Sequence, residues 1–334
     1  MMPSNQTDPV LVTIICLVYN HEPYLRQCLD GFVMQKTDFK VEAIVHDDCS
    51  SDNSALIIKE YAEKYPDLIK TIFEKENQYP KIGFSGIFNL ILPHIKGKYV
   101  AFCEGDDYWT DPVKLQKHVN FLETHPEYSS ACSRTRLYSQ SKGEFLQRDV
   151  FCTDHDEDVP AEDIIRKGGL YLASCSLVYK KEVRGNDYPE YCKKCHVGDY
   201  PLQIMCAMKG KVRYFNEAMG VYRVDNSSSW VGKNTHMGIT ENRLKGIVSE
   251  LNMLECFSKD YPRYKKAFTD RITMYLFSQI RYAEKADKAK LYRSATHFFK
   301  TVDWKGKLLL WAFSKDNRVL QSITYRLNSK RINE

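Results

Sequence analysis

Near-continuous apolar runs bounded by polar turns recur through the first hundred residues: VLVTIICLVY from Val10, VEAIVH from Val41, IKTIF from Ile69 and KYVAFC from Lys98. Between them lie HEPYLRQCLDGFVMQ, SALIIKEYAEKY and SGIFNLILPHIKG, whose apolar residues recur at helical spacing. Strands that are apolar on both faces and alternate with helices predict an α/β fold on a parallel sheet covered on both sides. TDPVKLQKHVNFLETHP predicts another helix, with Thr110 or Asp111 as its cap, Pro112 in its first turn and Pro126 as its stop. From about Tyr128 to Tyr222 the pattern is mixed: strands in YLASCSLVYKKEV and KVRYFNEAMGVYRV, and a helix in GDYPLQIMCAMKG closed by Gly210. Beyond Trp230 it turns helical, in ITENRLKGIVSELNMLECFSKDY and FTDRITMYLFSQIRYAEKADKAKLYRSATHFFK. The expected organisation is an α/β body over 1–235, with halves of about 1–127 and 128–235, and a mainly helical C-terminal region over 236–334.

Composition adds location and partners. The chain is 43% hydrophobic and 27% charged, ordinary for a soluble protein. MMPSNQTDPV has neither a basic n-region nor an apolar h-region, and eleven cysteines, an odd number, fit buried thiols in a reducing compartment. The expected location is cytoplasmic. Net charge is +5 but uneven: residues 236–334 carry 20 Lys or Arg against 10 Asp or Glu, and residues 1–235 carry 28 against 33. A basic C-terminal third points to an anionic surface as its partner, although solvated helices also favour lysine. Within it, TVDWKGKLLLWAFSKDNRVL mixes tryptophans and leucines with lysines. That composition suits a helix in a membrane interface, at the inner face, as well as it suits ordinary packing. Dispersed basic residues give no platform for nucleic acid.

The chemistry gathers where the strands end. The first ends in Tyr19-Asn20-His21-Glu22, the second in Asp47-Asp48 followed by CSSDNS, and the fourth in Glu104-Gly105-Asp106-Asp107. In doubly wound sheets ligands bind at this carboxyl edge, where strand order reverses. Adjacent carboxylates repel and are costly to bury unpaired, so a cation is expected among them. Asp106 and Asp107 are placed to hold a hard divalent ion of the kind that bridges a diphosphate. No GxxxxGK[ST] occurs and no GxGxxG follows the first strand, so no phosphate loop competes for this role. The bland alternative is that one of the pair caps the following turn.

VTIICLVYNHEPYLRQCLDGFVMQ, VEAIVHDDCSSDNS and GKYVAFCEGDDYWTDPVKLQKHVNFLETHP, in that order, closely resemble the family 2 glycosyltransferases over roughly residues 10–232. The resemblance implies the GT-A fold, Rossmann-like and nucleotide-sugar-binding, followed here by a C-terminal helical extension. It implies an inverting transferase that moves a hexose-type sugar from a nucleotide donor, UDP foremost, onto a glycan or lipid-linked oligosaccharide, with Mn²⁺ or Mg²⁺ as cofactor. Matched by position, Tyr19 would pack on the base, with Asn20 and Glu22 beside it. Asp48 would bond the uracil, Asp106 would lie nearer the ribose, and Asp107 would ligate the metal. Tyr222 and Arg223 match a pair near the diphosphate, and Asp199, opening a helix, matches the catalytic base. Glu104, Trp109 and Trp230 are the candidate lining of the sugar or acceptor pocket.

Two departures from the family pattern stand out. Leu17 replaces a common Thr before the YN pair, and Asp225 replaces a common His after YRV. Asp225 is accordingly a candidate third metal ligand that also threatens to repel diphosphate. Two rival functions follow: a catalytically silent nucleotide-sugar-binding scaffold, or a nucleotidyltransferase that makes nucleotide sugars. The second usually carries a Gly-rich basic loop that YNHEPYLRQ lacks. CKKCH, Cys192 to His196, has the form of a haem attachment motif. Without an export signal it reads as two free thiols.

Overall fold

The structure is a computed structural model and describes residues 9–151, 153–185, 188–225, 240–283 and 285–314. It divides into two compact units: one of residues 1–161, 169–188 and 198–235, the other of 162–168, 189–197 and 236–334.

The first unit is built on a ten-stranded sheet. Strands β1 (Val10–Val18), β2 (Lys40–Asp47), β3 (Ile69–Phe73) and β4 (Tyr99–Phe102) pair in parallel in the order β3-β2-β1-β4. Helices α1 (Glu22–Val33), α2 (Ser54–Lys64) and α3 (Tyr79–Ile91) connect them. Val12, Ile14, Cys16 and Val18 of β1 are buried with Leu25, Leu29 and Phe32 of α1 in one core, as the apolar runs predict. Strand order turns back between β1 and β4, and the polar loops after β1, β2 and β4 lie at that carboxyl edge.

Beyond β4 the sheet is mixed rather than parallel. β5 (Tyr108–Trp109) leads to α4 (Lys114–Thr124), then β6 (Tyr128–Ser139), β7 (Glu144–Asp149), β8 (Glu157–Asp158) and α5 (Ala161–Lys167). The short β9 (Val178–Lys180) runs antiparallel to both β4 and β6, and β10 (Lys211–Val224) lies between β6 and β5. Helix α4 begins at Lys114, so Pro112 precedes it; Asp111 Oδ1 takes the Val113 N–H at 2.7 Å and caps the turn before the helix. Between β9 and β10 come α6 (Glu190–Lys193) and α7 (Asp199–Lys209), the latter stopping before Gly210 as its sequence predicts.

The second unit is helical: it takes in α6 and all but the first residue of α5, and adds α8 (Glu241–Asp260), α9 (Lys265–Tyr282), α10 (Lys285–Ala295), α11 (Phe298–Thr301) and α12 (Trp304–Ser314). Leu251, Leu254 and Phe257 of α8 are buried with Phe268, Leu276 and Ile280 of α9. Cys192 and Cys195 form no disulfide with each other, and both are buried. No helix of the described residues is long and apolar enough to cross a membrane.

Candidate active site

The loops that follow β1 and β2 are laced together. Asn20 adopts a left-handed backbone, φ 58°, and its Oδ1 takes the Ser51 N–H at 2.7 Å. The Asn20 N–H reaches Ser50 Oγ at 2.9 Å, and the His21 N–H reaches Ser54 Oγ at 3.0 Å. Glu22 accepts from Asn53 Nδ2 at 2.6 Å and from the Asn53 N–H at 3.0 Å. Asn20 and Glu22 therefore spend their side chains on the floor of the crevice, where the sequence placed them against a nucleotide. Asp48, buried, takes the N–H groups of Gln78 and Tyr79 at 2.7 and 2.9 Å and anchors the start of α3. Tyr19 is 37% exposed, a ring available at the rim.

The loop after β4 is pinned from below. The Gly105 N–H bonds the Leu17 carbonyl at 3.0 Å, and a Cβ at Gly105 would stand 2.8 Å from His21 Nδ1, so only glycine lets the loop lie this close to α1. His21 Nε2 lies 4.0 Å from Asp106 Oδ2. Asp107 is 1% exposed; its Oδ1 takes the Arg223 N–H at 2.9 Å. Its Oδ2 is buried with no hydrogen-bond partner among the described residues. Burial, then Asp106, pushes the Asp107 carboxyl well above its usual range.

Arg223, which the resemblance sets near a diphosphate, is engaged within the fold. Its guanidinium is buried between Tyr24 and Tyr108, 5.0 and 4.7 Å from their ring centres, and donates to the Asp106 carbonyl and to Gln27 Oε1, both at 2.5 Å. With its backbone N–H on Asp107, this residue holds the acidic loop in place. Trp109 needs a correction. At 2% exposure it cannot line a sugar pocket: its ring packs edge-on against Phe32 at 5.0 Å, and its Nε1 donates to the Cys175 carbonyl at 2.7 Å. Asp225 is exposed, with φ 57°, and accepts from Ser139 Oγ of β6 at 2.9 Å. That bond engages the Asp225 carboxylate with β6. Among the described residues no group of three or more His, Cys, Asp or Glu is disposed to hold an ion. Trp230 lies outside the described residues.

Asp199 does join the acidic loop. It opens α7, its Oδ1 takes the Tyr200 N–H at 2.8 Å, and a Cβ on Gly169 would stand 3.3 Å from its Oδ2. Burial, then Asp106 and Asp199, pushes Glu104 up to about 8. The Tyr222 phenol is pushed up by burial and then by Asp107, Glu104, Asp199 and Asp106 together, so carboxylates from two distant segments face one tyrosine. Tyr79, which the sequence did not mark, is pushed up to about 12 by burial, then Glu104 and Asp199. An acidic crevice at the carboxyl edge, floored by interlocked loops, is a place for a polyanion only if a cation accompanies it.

The model of the family described as "Glycosyl transferase family 2" matches residues 13–180, half of the chain and every strand that builds this crevice except β10. This chain belongs to glycosyl transferase family 2. The Mycobacterium tuberculosis protein Rv1520 is 33% identical over 232 residues, 70% of this chain and 62% of its own length. The match thus spans under two thirds of that relative. The Escherichia coli enzyme WfaP, named as a UDP-Glc:α-D-GlcNAc-diphosphoundecaprenol β-1,3-glucosyltransferase, is 27% identical over 251 residues, covering 73% of this chain and 86% of its own. Residues 1–349 of Staphylococcus aureus TarS, solved in complex with UDP-GlcNAc, superpose with a TM-score of 0.68 at 16% identity, covering 95% of this chain and 90% of that one. That likeness shows the GT-A fold.

One property of this family member's acidic loop can be read without substrate. Because Glu104 is held up at about 8, folding favours its neutral form. Its folded value lies above the unfolded one, so this contribution is complete below the unfolded value of about 4.3 and is lost as pH rises toward 8. Glu104→Gln, measured by thermal melting with a chelator present, is expected to raise the midpoint above pH 8 and leave it unchanged near pH 4. Equal shifts at both pH values would show that Glu104 is not held neutral.

Proposed function

We propose that the chain is an inverting glycosyltransferase that moves a hexose-type sugar from a nucleotide donor, UDP foremost, onto a hydroxyl of a glycan or lipid-linked oligosaccharide. The observation that carries this reading is the buried Asp107 carboxylate with one oxygen unsatisfied among the described residues, in the same acidic crevice as the helix-opening Asp199. TarS bound to UDP-GlcNAc and the UDP-glucose and diphosphoundecaprenol in the name of WfaP support the choice of donor and acceptor class.

An unsatisfied buried carboxylate fits a hard divalent ion. Asp107, with Asp106 beside it, would hold Mn²⁺ or Mg²⁺, and two carboxylates suffice where the donor's phosphates complete the shell. Such an ion, when bound, neutralises charge on the departing diphosphate. The chain's own residues do the rest. Tyr19 at the rim stacks on the base, and Arg223 fixes the acidic loop at its working position. Asp199, oriented by the Tyr200 N–H, takes the proton of the acceptor hydroxyl as that oxygen attacks the anomeric carbon from the face opposite the leaving group. One displacement of this kind inverts the anomeric configuration.

The test is a screen of UDP- and GDP-sugars for slow hydrolysis with Mn²⁺ and with chelator. At least one UDP-sugar is expected to be hydrolysed only with the metal. Tight UDP binding with no donor hydrolysed or transferred would make the protein a scaffold instead.

A further inference from the structure

The helical unit presents an apolar stripe on its outside. In α12, Trp304 is 66% exposed and Trp311 is 44% exposed. Leu308 between them is half-buried. At about 100° per residue these three positions fall within roughly 60° of one helix face. Lys305 and Lys307, both exposed, flank that face on either side, and Lys305 Nζ sits 5.6 Å from the Trp304 ring centre. The opposite face is the packed one: Gly306, Leu309 and Leu310 are buried, and a Cβ on Gly306 would stand 2.8 Å from Thr273 Cγ2 of α9. The helix thus keeps one face for the fold and turns two tryptophans away from it.

The surrounding charge selects what those rings meet. Residues 285–307 carry seven Lys or Arg against two Asp. Lys290, Arg293 and Lys300 are exposed in addition to the two lysines of the stripe. Exposed indoles rimmed by cations are a poor match for a second copy of the same basic surface, which would bring like charges together. They match a bilayer interface, where indole rings settle at headgroup depth and lysines meet anionic lipid. With 11 residues α12 is about 16 Å long and cannot span a bilayer, so it would lie along the surface.

We propose that the Trp304–Leu308–Trp311 face of α12 docks on an anionic lipid surface. This stands on the second unit alone and is independent of the transfer reading, because its test needs no donor or acceptor. The purified full chain is floated with vesicles of phosphatidylcholine alone and of phosphatidylcholine mixed with phosphatidylglycerol. Flotation is expected with the mixed vesicles only, weakening with salt as charge attraction requires. Trp304→Ala combined with Trp311→Ala is expected to cut vesicle affinity by about tenfold or more, with a cooperative thermal melt showing that the double variant is still folded. Lys305→Gln and Lys307→Gln are each expected to cost about fivefold. Absence of flotation with either vesicle overturns the proposal, as does flotation that the tryptophan variants leave intact. A dimer in light scattering that those variants dissolve, without flotation, would assign the face to a second copy of the chain.

Discussion

Asp199→Asn is expected to lower transfer by about 10²–10⁴-fold, the usual contribution of a positioned general base, with UDP affinity unchanged. Asparagine preserves the carbonyl oxygen that receives the Tyr200 N–H, so α7 should open as before. What it loses is the capacity to accept a proton. The charge it removes is one of those that hold Glu104 up at about 8 and push the Tyr222 phenol upward. Glu104 should therefore titrate lower in the variant, which a carbon-detected pH titration of that carboxyl can read. Single-turnover transfer together with calorimetric UDP binding separates the two effects. Near-normal transfer would remove Asp199 from the role of base, and a matching loss of UDP affinity would make it a donor-binding residue.

The parallel half of this fold was legible because its strands are buried on both faces. β1, β2 and β4 are near-continuous apolar runs, and such runs bounded by polar turns have few other readings. β6 shows why the second half was harder. Its segment YSSACSRTRLYS reads as polar, yet Ser129, Ser130, Ser133, Thr135 and Ser139 are all buried. Small hydroxyls can be buried cheaply when backbone carbonyls receive them, as the Cys206 carbonyl receives Ser129 Oγ at 2.6 Å. Periodicity carries no trace of such a partner. YLASCSLVYKKEV was overread for the converse reason: it is apolar enough for a strand, but only Val178–Lys180 pairs, and Ser174–Ser176 forms a tight helical turn.

The site divides in the same way. That Glu104, Asp106 and Asp107 sit at the carboxyl edge was readable from where the strands end, whereas Asp199, which opens a helix, was placed beside them only by the family resemblance. How each side chain is used was not readable. Arg223 and Trp109 both sit in motif positions, but a guanidinium flanked by two tyrosines and an indole donating to the Cys175 carbonyl are outcomes of packing between distant segments. Tyr79 carried no signal: the helix predicted in this stretch begins at Ser85, and α3 opens ahead of it at Tyr79.

Asp107→Asn is expected to act with opposite signs on stability and on function. In the metal-free protein the Asp107 carboxyl is buried, faces Asp106 and leaves Oδ2 without a hydrogen-bond partner among the described residues. Keeping a charge there costs free energy that grows as pH rises, because burial holds the folded value above the unfolded one. Asparagine keeps an oxygen for the Arg223 N–H and removes the charge, so the chelated variant should melt higher than the native chain, most clearly above neutral pH. A divalent ion relieves the same penalty in the native chain. Mn²⁺ should therefore raise the native melting midpoint, by an amount set by occupancy, and leave the variant unmoved. Transfer should fall by at least about 10²-fold, on the scale of losing one preorganised group that stabilises developing charge. Metal-dependent UDP binding should fall with it. If Mn²⁺ shifted both melting curves equally, the ion would be bound elsewhere, and the acidic crevice would need another source of positive charge.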